Sequence, residues 1–141
     1  MVSDANFASE LVKPMENPFE SRPRIFVIVI DDELDIAKLL VVILQMNLFD
    51  AIPYSDPLIA LNAAKATPPD YLISDIVMPG MSGIELAIAI QREVPKCKVL
   101  LFSGQIGASE LIAAAIEQGH SFELVQKPIH PTRMVEAIRK L

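Results

Sequence analysis

From Arg24 onward the chain alternates between two apolar patterns. The first is a short unbroken run. Ile25 to Ile30 contains only Ile, Val and Phe, the mark of a strand covered on both faces, and it stops abruptly at Asp31-Asp32. The second is the spaced pattern of a helix, first met after Glu33, with Ile36, Leu39, Leu40, Ile43 and Leu44 assigned to one apolar side. The alternation then repeats. Asp50 to Tyr54 reads as a second strand. Asp56-Pro57 starts a second helix, with Asp as N-cap and Pro at the first helical position, and Pro68-Pro69 lies beyond its end. Tyr71 to Ser74 is a third strand ending at Asp75. Ser82 and Glu85 fit a capping box for a helix over Ile84 to Val94. Cys97 to Phe102 is a fourth strand ending at Ser103-Gly104, and a helix from Ala108 to Gln118 stops at Gly119. Phe122 to Gln126 is a fifth strand ending at Lys127-Pro128, and Pro131 opens a last helix. Five β-α units in succession imply an α/β fold with a doubly wound parallel sheet and helices on both faces.

Residues 1 to 23 break this pattern. They hold Pro14, Pro18 and Pro23 and no sustained period, and are read as a mostly disordered extension with a weak helical signal from Phe7 to Val12. The folded unit is expected over residues 24–141. Of the 141 residues, 52% are hydrophobic and 21% charged, enough apolar content for one domain with an aliphatic core. No apolar run approaches the ~18 residues of a membrane span, and no secretory signal is visible. Cys97 is the only cysteine, which excludes an internal disulfide and points to the cytoplasm. The net charge of −6, with scattered bases, argues against nucleic acid as a partner.

The polar residues at the strand ends carry the chemistry. Ligands of an open parallel sheet bind beyond the carboxyl ends of its strands. Asp31-Asp32 follow the first strand, Asp75 the third, Ser103 the fourth and Lys127 the fifth. Right-handed crossovers bring these ends to one edge. Carboxylates so close together take up a proton or recruit a cation. An oxygen-only donor set favours a hard ion, with Mg2+ the best fit and Mn2+ an alternative. A carboxylate beside that ion can accept a phosphoryl group as an acyl phosphate, with Lys127 and Ser103 contacting its oxygens.

These residues together resemble the receiver domains of bacterial two-component response regulators, the family of the chemotaxis regulators. The matching pieces are Val-Ile-Asp31-Asp32-Glu, Ser-Asp75-Ile-Val-Met-Pro-Gly-Met-Ser-Gly83, Leu-Phe-Ser103-Gly104 and Gln-Lys127-Pro128, and the resemblance spans about residues 24–141. It implies a flavodoxin-like three-layer sandwich with strand order 2-1-3-4-5. It implies Asp75 as phospho-acceptor, Asp32 as a direct metal ligand, and Asp31 as a ligand directly or through water. The backbone carbonyl of Val77 completes the protein ligands, Ser103 is the hydroxyl that moves toward the phosphoryl group, and Lys127 pairs with it across a cis bond to Pro128. The implied donor is a histidine kinase or a histidine phosphotransfer protein. The implied role is a stand-alone, phosphorylation-controlled binding module in a phosphorelay. Its output, or a homodimer, would use the face of the fourth helix, fifth strand and fifth helix. The module is not an enzyme beyond its own phosphorylation and dephosphorylation.

The sequence departs from the family where an aromatic commonly stands three residues before the lysine. Here that position is Leu124, with Phe122 two residues earlier on the same side of the strand. Val77 and Gln105 are placed at the mouth of the site, where an apolar Val77 offers no hydrogen bond to attacking water. Two alternative functions compete with this reading. An aspartate-nucleophile phosphohydrolase needs a different acid spacing after the first strand, and a constitutive binding scaffold does not need the full set of acids, Ser103 and Lys127. A dinucleotide site is disfavoured because the turn Asp31-Asp32-Glu33-Leu34 lacks glycine and would repel a pyrophosphate.

Overall fold

A computed structural model describes residues 24–104 and 108–141 of the protein. Its elements run β1 (Phe26–Ile30), α1 (Leu34–Met46), β2 (Asp50–Tyr54), α2 (Pro57–Ala66), β3 (Tyr71–Asp75), α3 (Gly83–Glu93), β4 (Lys98–Ser103), α4 (Ala108–Glu117), β5 (Glu123–Gln126) and α5 (Pro131–Lys140). The five strands are all parallel, in the order β2-β1-β3-β4-β5. The expected fold class is therefore the observed one. Residues 1–23, read above as an extension, and Gln105 lie outside the described residues.

Side chains of the central strands alternate between two apolar layers, as a sheet covered on both faces requires. Ile28, Ile30, Leu72 and Leu101 pack toward α2, α3 and α4, while Val27, Val29, Ile73, Leu100 and Phe102 pack toward α1 and α5. Each layer buries a helix stripe, such as Met134, Val135 and Ile138 of α5. The helices start where their caps dictate. Asp56 accepts a hydrogen bond from Leu58 N (2.9 Å) and Ser82 one from Glu85 N (3.1 Å), so each satisfies an otherwise unpaired amide of the first turn.

One helix turns differently from its expected face. In α1 the buried residues are Ala37, Leu40, Val41 and Leu44, whereas Leu39 is 59% exposed. Residues 39–44 are all apolar, so spacing alone leaves the face ambiguous by one position, and contact with β1 and β2 decides it. Helix α1 then closes in a Schellman motif, with Leu48 N bonded to Gln45 O (3.2 Å) and Phe49 N to Leu44 O (3.1 Å). The left-handed residue of that motif is Leu48, at φ 69°, where glycine is usual.

Candidate functional site

The carboxyl ends of β1 and β3 are adjacent in the sheet, and each ends at a buried acid. Asp31 follows β1 directly and is 1% exposed. Its Oδ1 accepts a hydrogen bond from Glu33 N (2.9 Å), which turns the chain into α1. Asp75 is the last residue of β3, also 1% exposed, and its Oδ1 accepts from Ile76 N (2.9 Å). The exposed Asp32 completes a triad whose ligand atoms all lie within 4.8 Å of one another. Asp32 also borders an open cleft of about 740 Å³ with Asp56, Pro79 and Glu85.

Lys127 reaches this triad from the far side. Its Nζ lies 3.1 Å from Asp75 Oδ2 and 3.6 Å from Asp31 Oδ2. Its backbone is anchored by a 2.7 Å hydrogen bond from Lys127 N to Ser103 O, and its bond to Pro128 is cis. Gly104 allows this approach. It sits at φ 155°, and a Cβ there would stand 3.0 Å from Lys127 Cβ. Ser103 thus lies at the strand end beside Lys127, one residue beyond the register partner of Asp75, Phe102. Val77 is half-buried two residues after Asp75, with its side chain packed on the layer of α2 to α4.

Three carboxylates against one ammonium leave a formal surplus of two negative charges. Burial is the largest influence on Asp31 and pushes its carboxyl above the ordinary range. The Glu33 amide and Lys127 oppose that shift, while Asp75 and Asp32 add to it. Asp31 Oδ2 is buried without a hydrogen-bond partner among the described residues, although Lys127 stands near. An unsatisfied buried carboxylate oxygen, an oxygen-only donor set and two surplus charges together fit a hard divalent cation.

Two features of the site carried no role in the sequence reading. Gly83 N donates to Ile76 O (2.8 Å), which folds the loop after Asp75 back onto itself. A Cβ at Gly83 would fall on the carbonyl oxygen of Asp75, so the residue opening α3 has to be glycine for the helix to seat against β3. The buried Ser74 hydroxyl donates to that same carbonyl (2.8 Å). The Ser-Gly pair at 82–83 was visible as a cap and as part of a motif, but close approach of two backbones leaves no periodic mark. The Leu124 position is 39% exposed. With Phe122 it lines a cavity of about 180 Å³ under α4, where the Phe122 ring stacks on His120 at 6.3 Å.

A doubly wound parallel sheet with acids and a lysine converging at its carboxyl edge defines a phosphate-handling signalling module of the flavodoxin-like type. The response regulator receiver domain family matches residues 27–139, and the chain belongs to that family. The nitrogen assimilation regulatory protein NtrX of Azorhizobium caulinodans is 33% identical over 111 residues, 77% of this chain and 24% of that protein. The chemotaxis protein CheY of Thermotoga maritima is 33% identical over 82 residues, 58% of this chain and 67% of that one. The DNA-binding response regulator MtrA of Mycobacterium tuberculosis is 25% identical, covering 80% of this chain and 48% of its own length. The chain therefore spans a quarter to a half of NtrX and MtrA. A receiver domain protein from Clostridium thermocellum shares the fold at TM-score 0.73 and 24% identity, over 82% of this chain and 92% of its own. Receiver domains are signalling modules rather than classical enzymes. They are phosphorylated on aspartate by histidine kinases and bind Mg2+ at an acidic pocket. No described helix is long and apolar enough to cross a membrane.

Proposed function

We propose that this receiver accepts a phosphoryl group on Asp75 from a phosphohistidine donor, a histidine kinase or histidine phosphotransfer protein. The observation that carries the reading is the placement of Lys127 Nζ 3.1 Å from Asp75 within the three-carboxylate cluster. A carboxylate oxygen of Asp75 attacks phosphorus. The P–N bond of the donor breaks, its electron pair returns to the imidazole, and an acyl phosphate forms. Asp31, Asp32, Asp75 and the Val77 carbonyl would hold Mg2+. When bound, the ion offsets repulsion between carboxylates and phosphoryl oxygens. Lys127, already between Asp31 and Asp75, exchanges a carboxylate contact for a phosphoryl oxygen, and the Ser103 hydroxyl donates to another. Asp31 holds the β1–α1 turn in place through the Glu33 amide while its second oxygen faces the cluster.

The signal is read at the α4–β5–α5 face, by a partner or by a second copy. That face exposes Ile116 (60%) and Leu124, and the aliphatic Leu124 stands where a switching ring is common. A phosphohistidine donor also places the protein in the cytoplasm. The test is incubation with Mg2+ and acetyl phosphate followed by intact-mass measurement. One phosphoryl adduct is expected, labile to hydroxylamine and lost on Mg2+ removal or in Asp75→Ala. An adduct that survives Asp75→Ala, or none from either acetyl phosphate or phosphoramidate, would overturn the assignment.

A further inference from the structure

Ser74 sits where the core pattern calls for a hydrocarbon. Its register partners in the sheet are Ile30 of β1 and Leu101 of β4, both buried in the apolar layer, and Ser74 itself is 0% exposed. The approach of α3 restricts this position to a small side chain, since a Cβ on Gly83 would stand 2.9 Å from Ser74 Oγ. Alanine would satisfy that restriction without taking a hydroxyl out of water, a transfer that costs free energy unless the hydroxyl is hydrogen-bonded. Size therefore accounts for a small residue but not for an oxygen.

The hydroxyl donates to the Asp75 carbonyl at 2.8 Å. That carbonyl belongs to the peptide plane joining Asp75 to Ile76. The N–H on the other side of the plane is that of Ile76, which donates to Asp75 Oδ1 at 2.9 Å. A peptide group is planar and trans, so its C=O and N–H point in opposite directions and turn together. Holding the carbonyl thus sets the direction of the N–H. A second acceptor competes for it, because Phe102 O of β4 lies 3.3 Å from Ile76 N. Rotation of the plane toward Phe102 would release Oδ1. As it stands, Ile76 N holds Oδ1 and Lys127 Nζ holds Oδ2 at 3.1 Å, so the carboxylate is gripped at both oxygens. Ser74 and Asp75 are both buried, and bulk water cannot stand in for a lost hydroxyl.

We propose that Ser74 is a positioning residue for phosphoryl transfer. Through the shared peptide plane its hydroxyl sets the rotation of the Asp75 carboxylate, keeping Oδ1 on the Ile76 amide and Oδ2 toward Lys127. This rests on the reading of Asp75 as the phospho-acceptor. An attacking oxygen already held in one orientation has less freedom to lose on the way to the transition state.

The experiment compares the wild type with Ser74→Ala and with Ser74→Cys, which keeps an atom at the γ position but donates only weakly. Two quantities are read. One is the amide proton resonance of Ile76 in the metal-free protein. The other is the rate of adduct formation at saturating Mg2+ with phosphoramidate as donor, followed by intact mass. In both variants the Ile76 resonance should move upfield as its bond to the carboxylate loosens. The rate should fall about five-fold, the equivalent of one neutral hydrogen bond, while urea unfolding confirms a folded protein. A packing role would lower stability and move neither quantity. Either quantity unchanged in the folded variants would overturn the inference, and Asp75 would remain the acceptor as long as the wild type forms its adduct. A wild type that forms none would remove the acceptor reading and this inference with it.

Discussion

Gly83→Ala sets two well-known effects against each other at the candidate site. Helix propensity favours alanine by about 1 kcal/mol in a helix interior. Gly83 opens α3, however, and its added Cβ would fall on the Asp75 carbonyl oxygen, 2.9 Å from that carbonyl's carbon and 2.9 Å from Ser74 Oγ. Carbon contacts are comfortable at ~3.5–4.0 Å, so the start of α3 and the end of β3 must separate by on the order of 1 Å. The obstacle is backbone at the buried end of β3 and cannot rotate away. Overpacking of this kind costs ~1–3 kcal/mol. Weakening the Gly83 N to Ile76 O bond adds ~1 kcal/mol. After the propensity gain, a net loss of roughly 1–3 kcal/mol remains, which for a domain of this size lowers Tm by ~5–10 °C. The checks are thermal and urea unfolding, together with the rate of the Mg2+-dependent phosphoryl adduct, which should fall because Asp75 is the residue displaced. A Gly83→Ala protein with unchanged or raised Tm would refute the packing argument.

Three further outcomes are expected. Asp31 holds its proton more tightly folded than unfolded, because burial raises its carboxyl above the ordinary 3.8. Without metal, its contribution to stability is full below that value and is lost as pH rises through the raised one. Asp31→Asn should flatten this decline and weaken Mg2+ binding, and Mg2+ at a hundred times its Kd should restore ~2.7 kcal/mol to the wild type at neutral pH; urea titrations across pH with and without Mg2+ measure all three. Burial, and secondarily Asp70, push the Cys97 thiol up to about 12, so a thiol reagent at neutral pH should label it only as fast as the protein opens, and prompt labelling of the native protein would contradict that. Val77→Asn should speed loss of phosphate from the phosphorylated protein by giving attacking water a hydrogen-bond partner, read as adduct decay by mass; an unchanged decay would count against the role given to Val77.

Much of the site was legible because its chemistry is one-dimensional in origin. A parallel sheet sends all strand ends to one edge, so a polar residue closing each apolar run announces its own destination. Asp31, Asp75, Ser103 and Lys127 could be placed beside one another on that ground alone, and the described distances among Asp31, Asp75 and Lys127 are those of direct contact. Helix starts were equally readable, since the caps at Asp56 and Ser82 act within three residues of themselves.

What the chain alone determined was therefore the alternation of elements, their caps and the identity of the converging groups, all of which follow from local spacing and from the handedness of β-α crossovers. Tertiary structure alone decided three other things. It chose which side of the uniformly apolar stretch 39–44 turns inward, because only contact with β1 and β2 distinguishes Leu40 from Leu39. It set the demand for glycine at position 83, which arises from a backbone eight residues away in sequence and in contact in space. It left Asp31 Oδ2 buried without a hydrogen bond beside two other carboxylates. Each depends on distances between segments far apart along the chain, and a pattern of residue types does not contain those distances.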